Sequence, residues 1–394
     1  MNIEFATAMR RASEQTRAQN LVEATRLIQQ ALNGRPGAAE AGTDGTAPRL
    51  DSPSSTLRDE AADASAGASR PPRVRRPLGE TLRTLKEGRL NLDAFAGLPG
   101  AVSGGLQGRA APPPPEGARF EARRFDCAAG GRSFKLYVPS SAPERPRGLL
   151  VMLHGCTQNP DDFALGTGMN AIAETHGFAV AYPAQTSSHN ASSCWNWFSP
   201  ENQRRDAGEP AIIAGLTRKL VAEFGIDPAR VFVAGLSAGG AMAAVMGETY
   251  PDLYAGVGVH SGLPTHAAHD MPSAFATMRG HGSVPRKRSD APRAMRTIVF
   301  HGTADRTVHL SNAERIVEDA TPDAASISAR SVAGQAGRRG YTRTVVANPE
   351  GEAMIEQWLI DGAGHAWSGG RPGGSYVDPT GPDASAEMMR FFIA

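Results

Sequence analysis

The chain has 394 residues, enough for two average domains or for one large α/β domain with an extension. Its 41 Lys and Arg residues balance 40 Asp and Glu residues, so no overall field favours nucleic acid or an anionic membrane as a partner. The absence of any run of 18 apolar residues argues against a transmembrane helix, and three cysteines are too few for a disulfide framework.

The first 33 residues predict an amphipathic helix. Apolar residues in LVEATRLIQQAL recur at three- and four-residue intervals, and Asn33-Gly34 ends the pattern. The apolar face of this helix is expected to pack on its own domain, on a second copy or on a partner such as a granule. No standard secretory signal is recognised, which favours a cytoplasmic location, with export by a non-standard route as the alternative.

Residues 34–117 predict a linker. Ala, Gly, Pro, Ser and Arg dominate this stretch, which closes with the run Pro112 to Pro115. Such a composition buries too little apolar surface to offset the entropy of ordering the chain. We therefore expect a low-complexity, mostly disordered segment.

Residues 118–394 predict one α/β domain. Two alternating segments around Gly130-Gly131 indicate a β-hairpin, and strand-like and helical segments alternate after it. The strand-like segments are GLLVMLHG, FAVAYP, VFVAGLS, GVGVHSG, TIVFHGTAD, RTVVAN and MIEQWLIDG, and the helical segments are MNAIAETHG, AIIAGLTRKLVAEFG, AGGAMAAVMGETYP and ASAEMMRFFIA. This order predicts a mostly parallel sheet covered by helices on both faces.

The segment VFVAGLSAGGAMAAVM carries the strongest catalytic signal. Its residues 235–239 match G-x-S-x-G, between an apolar strand and a helix. The glycines permit a tight strand-to-helix turn that exposes Ser237, and the helix N-terminus supplies free amides that stabilise negative charge. This arrangement predicts an α/β-hydrolase fold with Ser237 as the nucleophile.

The chain order of α/β-hydrolases, Ser then acid then His, selects the partners of Ser237. Asp305 follows the strand-like segment TIVFHG in a turn, and we expect it to be the acid, with Asp361 as a rival only four residues before the candidate base. His365 lies in a Gly-rich loop after the last apolar strand, where this fold places the base. His154, His260 and His301 lie at strand ends, where histidines more often shape the structure.

Acyl transfer needs two donors for the oxyanion. The backbone N–H of Ala238, directly after the nucleophile, is one candidate, and the backbone N–H of Cys156, in the loop after GLLVMLHG, is the other. The Cys156 side chain lacks the strand-to-helix turn of a nucleophile.

Six ordered motifs resemble the polyhydroxybutyrate depolymerase family of esterases over about residues 120–394. The motifs are HGCTQ (154–158), CWNWF (194–198), GLSAGGAM (235–242), HGTAD (301–305), GAGHAWSGG (362–370) and GSYVDPTGPDAS (374–385). The resemblance implies an α/β-hydrolase fold, the triad Ser237, Asp305 and His365, and an oxyanion role for Cys156. It also implies a Cys156–Cys194 disulfide, with Cys127 left free.

The same resemblance places tryptophans close to the reacting ester. Trp195 and Trp197 lie beside Cys194, and Trp367 lies two residues past His365. Indole rings at these positions are expected to lie against an apolar acyl chain, with core or rim packing as the alternative.

The resulting hypothesis is a serine esterase acting on short-chain polyhydroxyalkanoate, such as poly-3-hydroxybutyrate or its oligomers, without metal or organic cofactor. The first alternative is a feruloyl, acetylxylan or general short-chain esterase. An acyltransferase and a binding module with a vestigial triad are further alternatives.

Overall fold

The computed structural model describes residues 113–281, 295–321 and 327–394. The helix expected over residues 1–33, and the expected linker up to residue 112, lie outside these ranges.

One ten-stranded sheet organises the domain, and a separate two-stranded ladder lies near the C-terminus. The strands of the large sheet are β1 (Arg119–Cys127), β2 (Gly130–Val138), β3 (Gly148–Leu153), β4 (Phe178–Pro183), β5 (Val231–Leu236), β6 (Gly256–His260), β7 (Arg296–Gly302), β8 (Ser328–Ala336), β9 (Arg339–Ala347) and β10 (Ala353–Ile360). The ladder pairs β11 (Trp367–Ser368) with β12 (Val377–Asp378) in parallel.

The strand order is β1-β2-β4-β3-β5-β6-β7-β10-β9-β8. The six central strands, from β4 to β10, pair in parallel. Antiparallel strands flank them, namely β1 and β2 on one side and β9 and β8 on the other. The predicted mostly parallel sheet and the hairpin around Gly130 are confirmed.

Helices cover both faces of the sheet. They are α1 (Pro160–Thr167), α2 (Met169–His176), α3 (Gly208–Phe224), α4 (Ala238–Thr249), α5 (Met271–Met278), α6 (Ser311–Ala320) and α7 (Ala384–Ile393). One core contains residues of α3, α4, α5 and α6, and the other contains residues of α1, α2 and α7. Alternate residues of β5 join the two cores, Val231 and Val233 the first and Phe232 and Ala234 the second, as a strand buried on both faces requires.

Several elements have no counterpart in the sequence-based prediction. Strand β8 is exposed along most of its length, and its Val332 is 51% exposed, so it lacks the apolar alternation that marks a strand. Helix α5 lies in a stretch for which no helix was predicted, and a capping box between Asp270 and Ser273 starts it. Within the described ranges, no helix combines the length and apolar character that a membrane crossing requires.

Candidate active site

Ser237 occupies the turn between β5 and α4. It is the single residue between the two elements, and its φ of 57° and ψ of −120° are rare for a residue with a side chain. A Cβ atom at Gly239 would lie 2.0 Å from the Leu153 carbonyl oxygen, and one at Gly235 would lie 2.4 Å from the Gly239 carbonyl carbon. Only glycines therefore allow β5, α4 and β3 to approach closely enough to form this turn, which leaves Ser237 partly exposed.

Asp305 and His365 are hydrogen-bonded to each other, as the acid and the base of a triad would be. The His365 Nδ1–H donates to Asp305 Oδ2 over 2.7 Å, while the amides of Thr307 and Val308 donate to Asp305 Oδ1. The Asp305 carboxylate is fully buried, and the His365 side chain is 10% exposed. Burial acts to raise the pKa of Asp305, but the hydrogen bond from His365 and the charges of His365 and His301 outweigh it, so this pKa lies below its usual value.

The topology brings Ser237 to the same edge of the sheet as this pair. Ser237 follows β5, Asp305 follows β7 and His365 follows β10, and the carboxyl ends of neighbouring parallel strands lie together. Among the described residues, no hydrogen bond reaches Ser237 Oγ; catalytic hydrogen bonds often tighten only when substrate is present. The rival acid Asp361 is exposed, and no hydrogen bond joins it to His365 in the described part of the chain.

The two backbone amides predicted to receive an oxyanion lie beyond the carboxyl ends of neighbouring strands. Ala238 is the first residue of α4, and Cys156 lies in the loop after β3, the strand beside β5. Neither amide donates a hydrogen bond to another residue in the described part of the chain. A disulfide joins Cys156 to Cys194, the pairing that the resemblance implied, while Cys127 in β1 is exposed and free.

The loop of residues 154–158, which carries the Cys156 amide and is called the oxyanion loop below, is held by side chains. The Gly155 amide donates to Gln158 Oε1 over 2.9 Å, and Gln158 Nε2 donates to Asp162 and to Ser375. His154 Nε2 accepts the Gln185 amide over 3.0 Å. These hydrogen bonds connect the loop to Asp162, Ser375 and Gln185.

Three buried histidines near this edge act as structural groups. His154 and His260 each accept a backbone N–H at Nε2, from Gln185 and Ser368, and His301 Nε2 donates to the Val308 carbonyl. Burial lowers the pKa of His154 to about 4 and that of His260 to about 3, so both are neutral at pH 7. These roles agree with the expectation that histidines at strand ends shape the structure.

Burial of the three tryptophans favours the alternative of core packing over contact with an acyl chain. Trp195 is fully buried, Trp367 is 1% exposed and Trp197 is 6% exposed, so none offers an open face to a substrate in this structure. The Trp367 indole stacks on His260 at 5.0 Å, and its Nε1–H donates to Ser385. An apolar ring next to a catalytic motif suits core packing as well as it suits substrate contact. In this structure the three rings pack in the core.

A buried carboxylate fixes the segment that bears Cys194. Glu209, in α3, accepts hydrogen bonds from the Asn196 amide, the Asn196 side chain and Gln185, and it pairs with Arg132 over 3.3 Å. Burial raises the pKa of Glu209 despite these donors. Sequence reasoning assigned no role to Glu209, Gln158 or Gln185, although Gln158 lies inside the HGCTQ motif.

No metal site is formed by the described ranges: they contain no group of three or more His, Cys, Asp or Glu side chains that could hold an ion.

Comparison with protein families supports an esterase. Residues 132–347 match the family described as esterase PHB depolymerase. The chain is similar to poly(3-hydroxyalkanoate) depolymerase C of Paucimonas lemoignei, 34% identical over 66% of this chain and 63% of the relative. It is also similar to poly(3-hydroxybutyrate) depolymerase of Ralstonia pickettii, 30% identical over 65% of this chain and 56% of the relative. The match thus spans less than two thirds of either depolymerase.

Acetylxylan esterases are similar as well. The acetylxylan esterase of Coprinopsis cinerea is 28% identical over 66% of this chain and 71% of the relative. Among solved structures, acetyl xylan esterase from Aspergillus awamori matches 70% of this chain and 98% of its own, with a TM-score of 0.52 and 20% identity. At that identity the likeness establishes the α/β-hydrolase fold.

Proposed function

The chain belongs to the esterase PHB depolymerase family, and from that premise we propose that it hydrolyses carboxylic esters with Ser237 as nucleophile. The observation that carries the proposal is the strained, partly exposed Ser237 at the sheet edge that also holds the bonded Asp305–His365 pair. Backbone strain of this kind is retained where function requires it.

The reaction proceeds in two steps. His365 Nε2 takes the proton of Ser237 Oγ as the oxygen attacks the ester carbonyl carbon, while Asp305 holds the ring and stabilises the imidazolium. The carbonyl oxygen becomes an oxyanion that accepts the Cys156 and Ala238 amides. His365 returns the proton to the departing alcohol, and water activated by the same base then cleaves the acyl-enzyme.

The substrate we propose is a short-chain polyhydroxyalkanoate or its oligomers. This assignment is supported by the two depolymerases, which are 34% and 30% identical to the chain. Cleavage of acetyl esters on xylan is the second candidate. It is supported by the acetylxylan esterase of Coprinopsis cinerea, because the match covers 71% of that protein.

A substrate panel separates the two candidates. Release of 3-hydroxybutyrate from amorphous poly-3-hydroxybutyrate and its soluble oligomers is measured beside p-nitrophenyl butyrate, methyl ferulate and acetylated xylan, with Ser237→Ala as control. We expect hydroxybutyrate release that Ser237→Ala abolishes. Faster release of acetate from xylan would replace the depolymerase assignment, and activity that survives Ser237→Ala would overturn the serine mechanism.

The disulfide bears on the compartment. Disulfides persist in oxidising surroundings and are rare in the cytosol. We therefore propose an oxidising compartment in place of the cytoplasmic location expected from the sequence. Trapping thiols in acid-quenched cells tests this: one alkylated cysteine, Cys127, supports the proposal, and three contradict it. Association with granules or with a second copy through residues 1–33 stays a prediction.

A further inference from the structure

Thr157 and Tyr376 meet at the oxyanion loop from distant parts of the chain. The oxygen of the Tyr376 hydroxyl lies 3.1 Å from Thr157 Oγ1, across 219 positions of sequence. Thr157 follows Cys156 directly, and Tyr376 precedes β12. The contact therefore joins the oxyanion loop to the C-terminal segment.

The direction of the hydrogen bond between Thr157 and Tyr376 follows from the number of hydroxyl protons available. The single hydroxyl proton of Thr157 is donated to the Cys156 carbonyl over 2.6 Å. Thr157 Oγ1 is thus the acceptor towards Tyr376, and the phenol is the donor. Two hydrogen bonds thus connect the phenol through Thr157 to the carbonyl of Cys156, the residue whose N–H is the candidate oxyanion donor.

Both residues adopt backbone conformations that are unfavourable for a side chain. Thr157 has a φ of 64° and Tyr376 a φ of 52°, and Thr157 is in addition β-branched. Such conformations persist only where surrounding contacts enforce them. Here the Thr157 amide donates to Ser192 and the Tyr376 carbonyl accepts from Trp367, so the backbone is fixed on both sides of the hydroxyl contact.

The Tyr376 side of the contact also leads to the candidate base. The Trp367 amide donates to the Tyr376 carbonyl over 2.7 Å, and Trp367 lies two residues after His365. Tyr376 thereby connects the loop that carries His365 with the loop that carries the Cys156 amide. Its backbone carbonyl contacts the first loop and its hydroxyl contacts the second.

We propose that Tyr376 is a positioning residue for ester hydrolysis, acting through Thr157 to hold the Cys156 amide where the oxyanion forms. The inference rests on the proposed function. Because an oxyanion donor interacts more strongly with the transition state than with the ground state, its misplacement lowers kcat more than it changes KM.

Three variants test the contact with p-nitrophenyl butyrate. Tyr376→Phe removes only the hydroxyl, and Thr157→Val removes the acceptor at nearly constant shape. We expect each to lower kcat about tenfold, a part of the hundredfold or larger loss when an oxyanion donor is removed outright, with KM within about twofold. Thr157→Ser keeps the hydroxyl and is expected to recover most of the kcat that Thr157→Val loses.

The double variant separates a shared contact from two independent effects. Tyr376→Phe combined with Thr157→Val should lower kcat no further than Thr157→Val alone. Tyr341→Phe is the matched control, because this hydroxyl, in β9, makes no hydrogen bond among the described residues and its ring packs on Trp358. Thermal unfolding of every variant shows whether each is folded.

The outcomes separate the inference from the proposed function. A wild-type protein without esterase activity, or one whose activity survives Ser237→Ala, overturns the proposed function. A wild type that is active together with an undiminished kcat in folded Tyr376→Phe overturns the inference alone. A raised KM at unchanged kcat, or losses that multiply in the double variant, also overturns it.

Discussion

The turn at Ser237 and the oxyanion loop present the two candidate oxyanion donors from neighbouring strands, but different interactions hold them. At the turn, backbone packs on backbone: a Cβ at Gly239 would meet the Leu153 carbonyl at 2.0 Å. In the oxyanion loop, side chains and a disulfide from distant segments hold the chain, among them Gln158, Cys194 and Tyr376. One donor therefore depends on close backbone packing between elements, and the other on side-chain contacts from distant segments.

The largest effect is expected where backbone packs on backbone. Gly239→Ala places a methyl group against two carbonyl oxygens, those of Leu153 and His154, which no side-chain rotation relieves. We expect the free energy of unfolding to fall by at least about 3 kcal/mol, measured by urea denaturation. Gly364→Ala is the control, since nothing lies within 4 Å of its Cβ. Wild-type stability in Gly239→Ala would contradict this account of the turn.

The next effect concerns the acid. Asp305→Asn keeps the shape of the side chain but cannot stabilise the imidazolium, and its amide N–H favours the wrong tautomer of His365. We expect kcat for p-nitrophenyl butyrate to fall about 10³- to 10⁴-fold. Asp361→Asn, at the exposed rival position, should keep kcat within about twofold. The reverse pattern would make Asp361 the acid.

Removing the disulfide tests the Cys156 amide, the candidate donor whose loop is held by side chains. Cys194→Ser frees a loop closed across 38 positions, so we expect the free energy of unfolding to fall by about 3 kcal/mol. The Cys156 amide also loses its tether, so kcat should fall in the folded variant. Cys127→Ser, at the exposed free thiol, is the control. An unchanged kcat in Cys194→Ser would show that the remaining contacts suffice.

The most gradual effect is a loss of stability in acid. His154 and His260 are buried as neutral acceptors, with pKa values of about 4 and about 3. Below the usual histidine pKa of about 6.5, the unfolded chain binds protons that the folded chain does not. The free energy of unfolding therefore decreases as the pH is lowered. Each histidine contributes about 1.4 kcal/mol per pH unit, down to its folded pKa. Urea denaturation between pH 7 and pH 4 measures the slope, and a flat profile would contradict the burial of these groups as acceptors.

The turn and the central sheet could be predicted from sequence because their signals are local. Apolar runs such as GLLVML and VFVAGL specify strands buried on both faces, and G-x-S-x-G specifies the turn between a strand and a helix. The bonded pair of Asp305 and His365 was reached through chain order, since each residue follows the strand that the fold requires.

The features that the sequence did not predict depend on contacts between distant residues, which no local pattern encodes. Tyr376 reaches Thr157 across 219 positions, and Glu209 meets Arg132 across 77. The exposed strand β8 is held by backbone pairing with β9, so its side chains carry no periodic signal. The burial of Trp195 and Trp367 could not be predicted from sequence, because an apolar ring beside a catalytic motif suits a pocket and a core equally well.

The central claim, that Ser237 is the nucleophile, is tested most directly by covalent labelling with diethyl p-nitrophenyl phosphate. Attack by Ser237 Oγ forms an O–P bond and releases p-nitrophenolate. We expect one equivalent of p-nitrophenolate per chain and, by peptide mass spectrometry, a single diethylphosphoryl group on Ser237 that is absent from Ser237→Ala and forms far more slowly in Asp305→Asn. Labelling of a different residue, or an unlabelled Ser237 in folded protein, would contradict the claim.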